Sequence, residues 1–495
     1  MRDPYLKRAG RVPANKELYF MIKKILSLGM VIAFVFLTPS LVFAVGGGGF
    51  ENASFSATQI GMSGAGTASP NEPAAISYNP AGIVDLPGVQ VQGDANFISM
   101  FTWKDNDATG NTRSSGTIAT VPTAYITINP GKMFQDKLAL GVGTDSPFGL
   151  MNKYNSNDPA AHYTGWRNYL KMYTIKPTVA YKLTDKLSIG GGPMWYRIYD
   201  FGGITGYPNN LATLPFGVNT PDGQARINTS GNKWGWQMGT LLKLTPKHRL
   251  GYYFRSPVVV KTSGLVKVEN SDFSGIGLTG LHAFETGVHT KVALPMNMTW
   301  AYAYQPTEKT FYETDFTWSH WKTHKRLYFV PDSTGNAVDD AILNAIGQGD
   351  KDYHDGYGIQ LGVSHKLTKK LTLRGGSFFY FTPVPEKNFI PAVPDSNHLS
   401  LSIGLGYAIS KYLTADLAYS NAFYFTRKIA NSVAENPALL NSSMDGNYTS
   451  YMQEFTISLT AHWDDLFPRA LAKKDTAAES SSISMSPAVS MNPAA

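Results

Sequence analysis

The run His398–Ser410 reads HLSLSIGLGYAIS, and its hydrophobic and polar positions alternate strictly. Leu399, Leu401, Ile403, Leu405, Tyr407 and Ile409 fall on one parity; Ser400, Ser402, Gly404, Gly406 and Ala408 fall on the other. Successive side chains of a strand point to opposite faces, so the run predicts a strand with one greasy face and one small, polar face. The same alternation runs through Tyr173–Leu183, Val292–Tyr304 and Phe455–Trp463. In these runs the polar parity is poor in long charged side chains, and the greasy parity often ends in Trp or Tyr. A lumen and an interfacial aromatic girdle have those properties. A soluble sandwich, with the greasy face as its core, is the alternative.

Loop lengths separate the two. Short polar turns recur at 129–136, 183–186, 245–249, 305–309, 367–370 and 409–412. Longer irregular segments alternate with them, at 105–117, 150–169, 203–232, 265–290, 321–354, 382–397 and 426–448. Six short and seven long connections make thirteen, which predicts about fourteen strands. Short turns on the periplasmic side and long loops outside are the pattern of outer-membrane barrels, and a sandwich requires nothing of the kind. The expected fold is therefore all-β, a transmembrane antiparallel β-barrel over residues 88–463.

Three segments lie outside that pattern. From Met21 the chain reads MIKK, then the apolar run Ile25–Leu37, then SLVFA and VGGGG. This predicts a signal peptide starting at Met21 and cleaved after Ala44, with Val42 and Ala44 at the −3 and −1 positions. The apolar run is short for a membrane anchor, and no later run approaches the roughly 20 residues of a membrane helix. Residues 45–87, rich in Gly, Ala, Ser, Asn and Pro, precede a first strand near Val89–Trp103. They are either a periplasmic tail or a plug in the lumen; the turn-forming SYNPAGI (77–83) suits compact packing. Residues 464–495 are low-complexity and are expected to be disordered in the periplasm.

Composition changes this picture at a few points. The absence of cysteine rules out disulfides and thiolate metal sites. The net charge of +7 suggests a polyanion partner, but residues 1–44 hold seven bases and two acids, leaving about +2. Nucleic acid is therefore not an expected partner. Ten histidines occur without a short Ser/His motif or an HExxH pair, and no nucleotide-binding Gly-rich loop is present. The chain is thus expected to be no enzyme, with no catalytic residues, metal or cofactor. Three rivals stay open: an outer-membrane enzyme, testable at His398 or His462; a general hydrophilic porin, which has no use for a plug; and a surface adhesin or purely structural barrel, which only loop length favours.

The sequence resembles the FadL family, outer-membrane transporters of long-chain fatty acids that include importers of toluene and related aromatic hydrocarbons. The likeness runs from about Gly46 to Trp463. It is carried by Asn79, Pro80 and Ala81, by GYYFRSPV (251–258), by LPMNMTWAYAY (294–304) with WSHW (318–321), and by the run 375–411 containing TPVPEKNFIPAVPDSNH. The resemblance implies a monomeric fourteen-stranded barrel whose lumen is closed by an amino-terminal plug. It also implies capture of a fatty acid or aromatic hydrocarbon among the extracellular loops and passage to a tighter pocket beside the plug's amino terminus. Exit into outer-membrane lipid follows, through a gap where one strand kinks inward. Both ligand branches share the quoted motifs.

The matching strand is Leu138–Leu150. Ser146, Pro147, Phe148 and Gly149 are its candidate kink, since proline lacks a ladder donor and glycine permits unusual dihedrals. Alternatively they end the strand at its loop. Phe50 is the candidate aromatic of the tight pocket, or else a plug anchor. A fatty carboxylate favours a basic partner. Arg197 roughly matches a basic family residue, although its parity with Leu187 and Ile189 puts it on the outer face unless Gly190–Pro193 hides a bulge. Lys176 and Arg374 fall on inner faces, as ligand partners or as lumen charges.

Overall fold

A computed structural model describes residues 49–53, 55–106, 110–207, 222–269, 283–346, 348–430 and 444–467. Fourteen antiparallel strands close into a barrel. They are β1 (Val89–Asp105), β2 (Ile118–Ile128), β3 (Leu138–Asp145, resumed at Leu150–Lys153), β4 (Arg167–Lys182), β5 (Leu187–Tyr207), β6 (Gly223–Lys243) and β7 (His248–Arg255, resumed at Val258–Glu269). Then follow β8 (Phe284–Leu294, resumed at Asn297–Tyr304), β9 (Thr310–Ser319), β10 (Gly356–Lys366), β11 (Leu371–Phe381), β12 (His398–Ser410), β13 (Leu413–Tyr424) and β14 (Gly446–Trp463). Each strand pairs with its successor, and β14 returns to β1 with Trp463 opposite Val89 and Asn447 opposite Asp105. Closure leaves no free edge, the condition under which strands can cross a bilayer.

The alternation read from the sequence is realised with its greasy side outward. In β12, Ile403 is 67% exposed while its neighbour Ser402 is 6% exposed. A soluble sandwich would bury the isoleucine. The proline-containing steps Ser256–Pro257 and Pro295–Met296 interrupt β7 and β8 side by side, as expected where a ladder donor is missing.

Two expectations need correction. The segment 203–232 is not all loop, because β5 continues to Tyr207 and β6 starts at Gly223. Their ends hold together by packing: Tyr207, Ala225 and Ile227 bury against Val266, Val288 and Leu343. Leu343 comes from helix α1 (Ala337–Ala345), which folds within the long segment after β9. The inner face is also far more charged than the quoted runs suggest: Asp94, Lys176, Arg255, Glu313, Asp315 and Glu454 are all buried. Several of these charges are tolerated because residues 49–87 fill the lumen and supply partners.

The packing of that segment explains the Asn-Pro-Ala motif. Pro80–Asp85 forms a 3-10 turn with Asn79 as its N-cap, the side-chain oxygen accepting from Ala81 N at 3.1 Å. Pro80 takes the first helical position, where a missing N–H costs nothing. The Asn79 amide donates to Thr67 O at 2.6 Å and to Thr240 O of β6 at 3.0 Å, tying the segment to the wall. That approach requires glycines: a Cβ on Gly239 would lie 2.2 Å from Asn79 Oδ1, and one on Gly190 2.6 Å from the Pro80 carbonyl carbon. On the opposite side, Asp315 accepts from Thr67 N at 3.2 Å and Glu313 from Ala68 N at 2.6 Å.

Candidate functional site

The wall is weakest between β2 and β3. Their ladder covers only Ala124–Ile128 against Leu140–Thr144, whereas β3 stays paired to β4 up to Asp145 and again from Leu150. Ser146–Gly149 leaves the ladder and meets the amino-terminal segment instead. Asn52 N donates to Pro147 O at 2.9 Å, Gly149 N donates to Phe50 O at 2.9 Å, and the Asn52 side chain donates to Ser146 O at 2.9 Å. Glu51 and Phe148 thereby face each other as an antiparallel bridge. The backbone groups that a gap would orphan are satisfied by the plug.

Phe50 and Phe148 turn into an apolar cluster at the extracellular end of the plug. The Phe50 ring centroid lies 4.7 Å from that of Trp321, 5.3 Å from His324 and 6.1 Å from Phe148. Met172, Met194 and Tyr196 from β4 and β5 complete one side, and Val384 and Val393 from the loop after β11 close over it. Burial pushes His324 down to about 4, so the imidazole stays neutral within the cluster at ordinary pH. Lys351, also buried, is pushed down to about 8. The loop reaches the segment directly as well: Gly49 N donates to Asp395 Oδ2 at 2.7 Å. Burial pushes the Asp395 carboxyl up to about 6.

Below Phe50 the environment turns polar. Glu51 pairs with Arg255 of β7, accepts from Asn297 of β8 at 3.2 Å and accepts from Ser319 of β9 at 2.8 Å. These groups line a lumen cavity of about 100 Å3 together with Gln59, Tyr253 and Glu454. The result is a packed apolar cluster above a charged, hydrogen-bonding cavity, set beside a break in the wall. Once opened, such a site can hold an apolar body and orient a polar end.

The residues singled out from the sequence separate clearly. Phe50 and Phe148 come together, and Ser146, Pro147 and Gly149 form the backbone that departs from the ladder. Asn79, Pro80 and Ala81 lie deep in the plug, away from the cluster. Lys176 is buried but pairs with Asp145 and donates to Ser77 at 3.1 Å, holding the plug to β3 and β4. Arg374 faces inward and pairs with Asp416 at 2.7 Å. Neither base faces the Phe50 cluster. Arg197 lies between the buried Tyr196 and Ile198, on the outer parity with Trp195 and Tyr199, so no bulge turns it inward. The ladder shift in β5 falls beyond it, between Ile198 and Phe201. Arg255, Glu51 and Asp395 were not singled out. Parity within GYYFRSPV sets Arg255 beside Gly251 and Tyr253 on the inner face, a signal that was available. The partnership with Glu51 had no local signal.

A closed barrel with an aliphatic outer surface, a polar interior and a folded segment filling its lumen is an outer-membrane transport barrel. Residues 41–463 match the family described as outer membrane protein transport protein (OMPP1/FadL/TodX), and the chain belongs to it. A long-chain fatty acid transport protein of Escherichia coli is 26% identical over 431 residues, covering 80% of this chain and 91% of that protein. Among solved structures, a Pseudomonas aeruginosa FadL homologue superposes with a TM-score of 0.70 at 19% identity, covering 83% of this chain and 99% of the other. The Pseudomonas putida toluene transporter TodX gives 0.61 at 15% identity, with the same coverage of 83% and 99%. The structural likenesses establish the fold. The family is one of transport proteins and not enzymes, and it places the protein in the outer membrane.

Proposed function

We propose that the protein takes up long-chain fatty acids or related hydrophobic molecules by passive diffusion. Extracellular loops capture the ligand, the amino-terminal plug gates its passage, and the ligand leaves sideways into membrane lipid. The observation that carries this reading is the break at Ser146–Gly149, which is hydrogen-bonded to residues 50–52 beside the Phe50 cluster. Movement of one short segment would open the packed cluster toward the wall gap. The energetics are favourable without an external source, since an apolar solute gains ~0.8 kcal/mol per CH₂ on leaving water. In this reading residues 1–44 are removed as a signal peptide, residues 45–87 act as the plug, and residues 464–495 trail in the periplasm.

A toluene-type aromatic ligand is the second reading, favoured by the aromatic walls of the cluster, Phe50, Phe148 and Trp321. Uptake of labelled oleate through the folded barrel, with and without excess toluene, tests both. Saturable uptake indifferent to toluene supports fatty-acid transport, and uptake blocked by toluene supports the aromatic reading. Absence of uptake together with open ion conductance would make a hydrophilic porin the better description.

A further inference from the structure

We propose that Arg255, Asn297 and Ser319 form a receptor for the carboxylate of an amphipathic ligand, and that Glu51 of the plug occupies it as a built-in competitor. The inference rests on the uptake reading above and names the ligand class of that site, an apolar tail carrying one carboxylate.

The receptor belongs to the barrel wall. Arg255 is the register partner of Asn297, and Asn297 is the register partner of Ser319. The three therefore form one row across β7, β8 and β9, all on the inner face and all buried. The row sits where Pro257 and Pro295 interrupt β7 and β8. Its donors converge on one carboxylate: the guanidinium and the Asn297 amide meet Glu51 Oε1, and the Ser319 hydroxyl meets Oε2 at 2.8 Å. Arg255 Nε is buried without a hydrogen-bond partner. A guanidinium is a planar fork suited to bidentate carboxylate recognition, and Glu51 leaves part of that fork unused.

The occupant differs from its receptor in one respect. Arg255, Asn297 and Ser319 are held by ladders, whereas Glu51 lies in the short segment bonded to the wall break. The guanidinium lies 4.5 Å from the centre of the Phe148 ring, so one group contacts the carboxylate and the kink together. Removing a carboxylate from this buried base without replacement would be costly, but exchanging one carboxylate for another keeps the base paired. A ligand bearing a carboxylate can make that exchange, and a neutral hydrocarbon cannot. The lumen cavity reaches Glu51, Arg255, Asn297 and Ser319, and Gln59, Ser63 and Gln360 on its lining give the displaced glutamate polar groups to meet. Displacement would also loosen the bridge between Glu51 and Phe148.

The test compares two probes of equal chain length, radiolabelled oleate and oleyl alcohol. Both are bound by the full chain in neutral detergent, with heat-modifiable gel mobility as the check on folding. Glu51→Ala should tighten oleate binding by about tenfold, equivalent to about 1.4 kcal/mol, and leave oleyl alcohol within about twofold. Glu51→Gln should move oleate in the same direction by less, and Arg255→Gln should weaken oleate selectively. Equal changes for the two probes in folded variants, or no change for either, would overturn the proposal and leave the ion pair as scaffolding. Failure of the wild-type chain to bind either probe would overturn the uptake reading itself, a distinguishable result.

Discussion

The seam between β14 and β1 and the seam between β2 and β3 are built from the same kind of strand, yet they differ sharply in pairing. β1, 17 residues long, is paired along its full length with β14. β2 and β3 are paired only over Ala124–Ile128 and Leu140–Thr144. Along the first seam, inward residues such as Asn96, Ser458 and Thr456 are buried against the lumen contents, and the ladder satisfies the backbone. At the second, Pro147 and Gly149 turn inward and the plug satisfies the backbone. A backbone group left unsatisfied in the hydrocarbon costs several kcal/mol. Residues 50–52 thus supply backbone partners at the break, and in the proposed reading this couples the plug to the gap.

Removing the plug is the severest way to break that comparison. Deletion of residues 46–85 should change the barrel from electrically silent to steadily conducting in planar bilayers, because the lumen contents disappear while the strands remain. A barrel that stays silent would show that residues outside the deletion seal the lumen.

Phe50→Ala should have the next largest effect. Truncating a buried phenylalanine costs on the order of 3 kcal/mol, and Phe50 is in ring contact with Trp321, His324 and Phe148. Faster amide exchange should follow at residues 50–52 and Gly149, with weaker ligand binding, while exchange in the β1–β14 ladder stays unchanged. Uniform acceleration across both seams would mean that the segment is no local latch.

The smallest effect concerns pH. The folded pKa of Asp395 is raised by burial to about 6, above its ordinary value of 3.8. A group shifted this way contributes stability that is full below about pH 4 and is lost as the pH rises through about 6. The packing of the loop that buries Asp395 should thus weaken between pH 5 and pH 7.5, although the Gly49 N–H itself favours the ionised carboxylate. Amide exchange of the loop around Asp395, corrected for intrinsic rates, measures it. Asp395→Asn should abolish the dependence; an unaltered dependence in that variant would assign it to another group.

The parts of this architecture that follow from local pattern were legible in the sequence. Strand number follows from the alternation of short and long connections, while the outward parity of Leu401 through Ile409 and the inward parity of Lys176 and Arg374 come from a period of two. So does the outward placement of Arg197. Roles that depend on partners distant along the chain were not legible. Lys176 ties the wall to the plug through Asp145 and Ser77, and Arg374 ties one part of the wall to another through Asp416. Arg255 meets Glu51 across 204 residues of sequence. The extension of β5 and β6 was hidden because GGITGY lacks strong alternation, and its pairing depends on Leu343 of α1 packing against it. The expected signal peptide, residues 1–44, lies outside the described residues, as do residues 468–495 of the expected carboxy-terminal tail.

The most direct test of the coupling between plug and gap is oleate uptake by cells carrying a chain in which Ser146–Gly149 is deleted, so that Leu150 follows Asp145. Conductance and surface display are measured on the same variant. A lateral route predicts that uptake falls to background while the barrel remains folded and electrically silent. Wild-type uptake by that folded, silent barrel would contradict the gap as the exit and direct attention to a path through the plug.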